Sequence, residues 1–369
     1  MRILQVCSAR TLGGGERHVA DLAHALTARG HQVYIALAPN SPLRALLANL
    51  PEQNITTLRM RNALDVPSAL KLARIVREQK IEIVHAHLAR DYPLASLAVR
   101  RYAQFVVTRH VLFPLNRLHS LTLSRVARVI AVSEAVARQL RAQRIVDERK
   151  IKVIPNGIDL KRFEHPLSDA ARKALRAKLG FEHAHLLVGT VGSMLPLKGH
   201  EEFVRAAQLI AAQRVDVGFV IIGGDEARNL EYRAKIERMI AELNLANRVR
   251  IINWPEELAQ FYAALDVYVS ASHTEAFGLS IVEAMASARP IVATATEGAQ
   301  EIISAGKTGQ LVPISDAEKL AVAIAALLES EAQRNDLGTH AREEAHHRFG
   351  LERMTEATER VYLDALEAK

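Results

Sequence analysis

Residues 2–20 read Arg2-Ile3-Leu4-Gln5-Val6-Cys7-Ser8-Ala9-Arg10-Thr11-Leu12-Gly13-Gly14-Gly15-Glu16-Arg17-His18-Val19-Ala20. Ile3–Cys7 is an apolar run of strand length, a glycine turn follows, and Glu16–Arg29 then has the pattern of an amphipathic helix. A strand that passes through glycines into a helix opens a βα unit, and such units assemble parallel sheets. The glycines let the main chain approach a ligand, and the helix N-terminus favours an anion. A Gly-x-Gly-x-x-Gly dinucleotide fingerprint is not completed. Counted from Gly13, its third glycine position is His18, and the next strand ends without a ribose-binding acid.

The same alternation continues outward. Val33–Ala38, Ile81–Ala86, Phe105–Thr108 and Val126–Val132 read as further strands, and Val66–Gln79 and Ser133–Gln143 as helices. A second series has strands at Leu186–Gly192, Val217–Ile222, Val249–Ile252, Val267–Ser270 and Ile291–Thr294. Its helices include His200–Ala212, Leu230–Leu243, Leu279–Ala288 and Ala317–Ser330, and Asp169–Leu179 is a charged helix between the two series. The expected class is α/β, with two doubly wound parallel sheets. The expected domains are residues 1–165 and 166–350, divided near Pro166, with residues 351–369 forming a last helix free to pack on either half. Ligands of such sheets bind beyond the carboxyl ends of the strands, so loops after strands are where chemistry is sought.

Composition narrows the function. The 369 residues are 49% hydrophobic and 24% charged, which excludes a disordered chain, a collagen-like repeat and a coiled-coil rod. No apolar run approaches the ~18 residues of a membrane span, and the start turns polar too soon for a signal peptide. The single cysteine, Cys7, excludes an internal disulfide and a multi-cysteine zinc site and fits a cytoplasmic setting. Residues 1–160 hold 24 Lys+Arg and 11 Asp+Glu, a net of +13, while the remainder nets −6. The basic half points to an anionic substrate or an anionic membrane surface. Nucleic acid fits less well, because the basic residues are dispersed and aromatics are few.

Two loops of the second half stand out. Gly192-Ser193-Met194-Leu195-Pro196-Leu197-Lys198-Gly199 follows a strand and opens a helix. It lacks the Gly-Lys-Ser/Thr ending of a nucleotide-magnesium loop, but Lys198 can meet a diphosphate as a point charge. Ser272-His273-Thr274-Glu275-Ala276-Phe277-Gly278-Leu279-Ser280-Ile281-Val282-Glu283 offers free amides at Phe277, Gly278 and Leu279 and two carboxylates. Taken alone, that spacing also fits a solvated glutamate and an ordinary helix ion pair.

The ordered set of motifs resembles the retaining glycosyltransferases of family 4 in the GT-B superfamily. Glu275…Glu283 is similar to that family's E-x7-E motif, and Pro155-Asn156-Gly157-Ile158-Asp159 to its PNG-x-D segment. The Gly13–Gly15 loop, Lys198-Gly199 and Thr296-Glu297-Gly298…Glu301 fall in the expected order, so the resemblance covers essentially the whole chain. It implies GT-B architecture: two Rossmann-like domains facing across a cleft, acceptor on the first, nucleotide-sugar on the second, and a last helix crossing back.

The resemblance also implies roles. Glu283 would bind ribose hydroxyls. Glu275 would hold the transferred sugar, helped by main chain around Ala276, Phe277, Gly278 and Leu279. Lys198 would neutralise the diphosphate, beside Ser193, and Gly14 and Gly15 would let the first loop approach the donor phosphate. Asn253 and Trp254 fall where the nucleobase is held. His110 would contact the sugar near the reacting carbon, and His87 and Asn156 are acceptor-side candidates. His85 and His87 alternate along a strand and so share a face. One departure is plain: the family usually places Arg after the glycine corresponding to Gly192, where this chain has Ser193. No Asp-x-Asp or HExxH occurs, so no catalytic metal or other cofactor is expected. The implied reaction moves a hexose from a UDP- or GDP-sugar to a hydroxyl acceptor, with a lipid-linked or lipopolysaccharide-type glycan suiting the basic half. The alternatives are a nucleotide-sugar epimerase or phosphorylase on the same fold, and a non-catalytic nucleotide-sugar-binding protein.

Overall fold

The computed structural model describes residues 1–99, 102–164, 166–224, 230–255 and 257–367. Two compact units are present, Met1–Ile158 with Leu351–Lys369, and Asp159–Gly350.

The first unit has seven parallel strands: β1 (Arg2–Cys7), β2 (Gln32–Leu37), β3 (Ile55–Thr57), β4 (Ile83–Ala86), β5 (Gln104–Arg109), β6 (Arg128–Ala131) and β7 (Ile151–Val153). Their order is β3-β2-β1-β4-β5-β6-β7. The order reverses between β1 and β4, so their carboxyl ends flank the switch-point crevice. Helix Gly14–Ala28 follows β1, capped by Gly13, whose N–H donates to Glu16 Oε2 at 2.8 Å. The last helix, Leu351–Glu367, belongs to this unit. Its Met354, Val361, Tyr362 and Ala365 share a core with Val19, Leu22 and Leu26 of the first helix. Glu359 fixes it from outside, accepting hydrogen bonds from Arg29 Nε at 2.9 Å and His31 Nε2 at 2.7 Å.

The second unit has six parallel strands: β8 (Leu186–Val191), β9 (Val217–Ile222), β10 (Val249–Ile252), β11 (Val267–Ser270), β12 (Ile291–Thr294) and β13 (Gln310–Val312). Their order is β10-β9-β8-β11-β12-β13, with the switch point between β8 and β11. Helix Asp169–Lys178 is part of this unit rather than a bridge between the halves. Arg172 and Arg176 hold Asp266 at 2.7 and 2.6 Å and bond main-chain carbonyls at residues 264 and 265.

The fold is α/β with two Rossmann-like sheets, as the alternation of patterns implies. Elements that the patterns left out have identifiable causes. β3, β7 and β13 are three residues long, too short for a period to register. Helix Tyr92–Val99 is apolar on nearly every face. Helix Glu331–Arg348 is polar on nearly every face, burying Leu337, Gly338, Ala341 and Ala345.

Candidate active site

In the second unit the switch point is built from two loops. β8 runs into Gly192 and Ser193, then a short turn at Pro196–Lys198, then Gly199 and helix His200–Ala211. Gly199 has φ +66°, and a Cβ there would lie 1.8 Å from the carbonyl oxygen of Ala271. Only glycine lets the two loops touch at this point. The His273 N–H donates to Leu197 O at 2.9 Å and adds a second tie. Ser193 is partly exposed, and its carbonyl accepts a bond from His200 Nε2 at 3.1 Å. Burial pushes the basicity of His200 down to about 4, so it is neutral near pH 7.

These ties bring Lys198 and Glu275, 77 residues apart in sequence, into direct contact. Lys198 Nζ donates to Glu275 Oε1, which also accepts from Ser272 Oγ at 2.9 Å. The Glu275 main chain is fixed as well, its carbonyl accepting from Gly298 N–H at 3.0 Å. A Cβ at Gly298 would collide with the carbonyls of Glu275 and Phe277 at 2.7 and 2.5 Å, which gives the Thr296-Glu297-Gly298 segment a structural reason. Phe277 is buried edge-on against Phe349, with ring centroids 5.7 Å apart. Ala276 precedes it in the loop, and Gly278, at φ +110°, caps helix Leu279–Ala286. Glu283 lies more than one turn into that helix, buried, and accepts a 2.7 Å hydrogen bond from the Tyr262 hydroxyl.

Asn253 and Trp254 follow β10, two strands from β8. Asn253 Oδ1 accepts from Arg233 Nη1 at 2.7 Å. The Trp254 indole lies against Gly224, where a Cβ would be 2.4 Å from its Cδ1, yet it stays 38% exposed. It is therefore not a core residue, and its exposed part can meet a planar ligand.

In the first unit, His87 and His110 follow β4 and β5. His87 Nε2–H donates to Gln5 Oε1 at 2.6 Å, which leaves Nδ1 as acceptor for His110 Nε2–H at 3.2 Å. His85 is fully buried behind them, bonded to the Tyr362 hydroxyl at 2.6 Å and to Thr108 Oγ1 at 2.7 Å. Burial drives the basicity of all three well below that of a free imidazole. Gly15 lies alongside the His110 ring, where a Cβ would be 3.7 Å away, and Gly14 is the first residue of that helix. Asn156 follows β7 and is buried, with no hydrogen-bond partner for Oδ1.

Three groups here lie outside the motifs. His18, one turn into the first helix, packs edge-on to His110 with centroids 4.8 Å apart. Gln5 orients His87, and its strand-interior position gave no signal. Asp91 is buried and takes Ser8 N–H at 2.8 Å, and burial pushes its carboxyl up to about 6. The one sequence hint was that His18 stands where a dinucleotide fold needs glycine.

Comparison with known proteins places this geometry among relatives. A family model described as Glycosyltransferase Family 4 matches residues 12–162, and one described as Glycosyl transferases group 1 matches residues 171–344. A D-inositol 3-phosphate glycosyltransferase of Xylanimonas cellulosilytica is 29% identical, with 96% of this chain and 92% of that protein aligned. D-inositol 3-phosphate glycosyltransferase 2 of Catenulispora acidiphila is 30% identical over 65% of this chain and 56% of that protein. With several such relatives the match spans about half of their length. A crystal structure of a glycosyltransferase from Rickettsia africae is 25% identical, with TM-score 0.88 and 100% and 99% of the two chains covered.

Proposed function

The chain belongs to the family 4 glycosyltransferases of the GT-B superfamily, and we propose that it transfers a hexose, with retention, from a UDP- or GDP-sugar to a hydroxyl of an anionic acceptor. The observation that carries this reading is the Lys198–Glu275–Ser272 cluster at the β8/β11 switch point, beside a helix N-terminus at Gly278. The ammonium and carboxylate neutralise one another. A bound donor would divide them, the diphosphate taking Lys198 and a sugar hydroxyl taking Glu275. Glu283 would hold the ribose, Trp254 and Asn253 the base, and Ser193 and the Gly14–Gly15 loop would lie by the phosphates. Departure of the nucleoside diphosphate then needs positive charge held in place, which Lys198 and the amides from Phe277 to Leu279 supply.

No carboxylate is assigned as a covalent nucleophile. The acceptor hydroxyl attacks from the face the leaving group vacates, and the departing phosphate takes its proton. His110, neutral and joined to His87, would contact the sugar, with His87 and Asn156 toward the acceptor. The excess of positive charge over residues 1–160 favours a phosphate-bearing acceptor, and a lipid-linked or lipopolysaccharide-type glycan at the cytoplasmic face of a membrane fits it. The inositol phosphate in the relatives' names is also an anionic polyol.

A panel of nucleotide-sugars in a thermal-shift assay tests the donor. A ligand at 100 times its Kd stabilises by ~2.7 kcal/mol, and no shift with any UDP- or GDP-hexose rejects the reading. Proton NMR of the product must show the donor's anomeric configuration. Because Lys198 provides the charge, transfer is expected to persist in excess EDTA. Activity lost to chelator and restored by magnesium or manganese would contradict that.

A further inference from the structure

Three histidines of the first unit bring ring nitrogens together. One ring nitrogen from each of His18, His87 and His110 lies within 4.8 Å of those from the other two. His87 Nδ1 and His110 Nε2 are 3.2 Å apart. The edge of a tetrahedron with zinc–nitrogen bonds of ~2.05 Å is about 3.3 Å.

The surroundings fit the same purpose. His87 is held from behind, its Nε2–H on Gln5 Oε1 at 2.6 Å, so that the Nδ1 lone pair faces the cluster. A hydrogen bond of this kind orients metal-ligating imidazoles. His18 is 5% exposed and has a side-chain hydrogen bond to Asn156. One such bond leaves the other ring nitrogen buried without a partner, which is costly unless something meets it. The cluster is all nitrogen, a donor set that suits zinc, cobalt, nickel or copper rather than magnesium or calcium.

We propose that His18, His87 and His110 bind one zinc-class divalent ion through three imidazole nitrogens, leaving a fourth position open, and that the ion silences transfer by withdrawing His110 from the sugar. The silencing rests on the role proposed for His110 above, whereas the metal site does not. Binding moves the His110 proton from Nε2 to Nδ1, a nitrogen with no hydrogen-bond partner, so no proton is released. An inhibitory ion is compatible with chelator-resistant transfer.

Cobalt(II) titration of the full chain, read by visible absorption, tests the site. The expected result is a tetrahedral band that saturates at one equivalent and is displaced by zinc. His18→Ala and His110→Ala should each abolish it, and Gln5→Leu should weaken binding by ~10–100-fold. A double variant of the surface pair, His346→Ala with His347→Ala, should leave it intact. No band, or a band that survives His18→Ala and His110→Ala, overturns the site. Circular dichroism checks each variant, and if His18→Ala does not fold, His110→Ala and Gln5→Leu decide. In the second arm, zinc should abolish wild-type transfer reversibly by EDTA, while adding zinc to His18→Ala should not change the rate that this variant shows without metal. A zinc-loaded wild type with undiminished transfer overturns the silencing. Wild-type turnover in metal-free His110→Ala would instead refute the sugar contact and leave the cobalt result standing.

Discussion

At Glu275 one carboxylate oxygen is shared between the Lys198 ammonium and the Ser272 hydroxyl. Glu275→Gln keeps the shape and removes the charge, so turnover should fall more than donor affinity does. Equal kinetics in the folded variant would refute the assignment. Glu283→Ala should weaken nucleoside-diphosphate binding by ~1–3 kcal/mol. Because it also removes the acceptor of the 2.7 Å hydrogen bond from the Tyr262 hydroxyl, Tyr262→Phe is the comparison, losing that bond and keeping the carboxylate. Affinity lost equally in both would assign the effect to packing. Ser193→Arg puts a bidentate donor in the loop proposed to hold the diphosphate and should tighten UDP or GDP binding by ~1–3 kcal/mol in calorimetric titration. Unchanged affinity for both nucleotides would place Ser193 away from the diphosphate. The spacing of Glu275 and Glu283 was legible in the sequence, and so was the lysine at 198. Their pairing was not, nor was the Gln5–Tyr362 contact across 357 residues, because tertiary folding alone makes such neighbours.

At the scale of elements, the turn between β8 and helix His200–Ala211 is the least tolerant. Gly199→Ala forces a side chain into a left-handed conformation and against the Ala271 carbonyl. It should cost ~2–4 kcal/mol and reduce activity through Lys198, with urea unfolding as the measure. His200 adds a pH term. Its basicity is depressed in the fold, so the unfolded chain binds the extra proton first. Stability is full above about pH 6.5 and falls as pH drops toward about 4, by up to ~1.4 kcal/mol per unit. The difference between unfolding midpoints at pH 7 and 5 should shrink in His200→Gln, with the buried His18, His85, His87 and His110 supplying the remainder, and an unaltered slope would rule this source out. Strands and helices with a clear period were readable from sequence to within a residue or two. Three-residue edge strands and the polar helix Glu331–Arg348 were not, since neighbours rather than their own pattern stabilise them.

For the whole molecule, charge asymmetry has a measurable effect. Among the described residues no helix is long and apolar enough to cross a membrane. The net +13 over residues 1–160 should nonetheless bring the protein to anionic vesicles and release it as salt rises, by sedimentation. Equal, salt-insensitive binding to neutral vesicles would reject that. The other whole-molecule feature is the membership of Leu351–Glu367 in the first unit. During synthesis these residues leave the ribosome after all of Asp159–Gly350. The first unit then waits, with the face that receives Met354, Val361 and Tyr362 uncovered, while the second can finish. The half made first is thus the half completed last, and Tyr362, which bonds His85, is among the final contributions. A released chain of residues 1–350 should carry a protease-resistant second unit and a protease-sensitive first one.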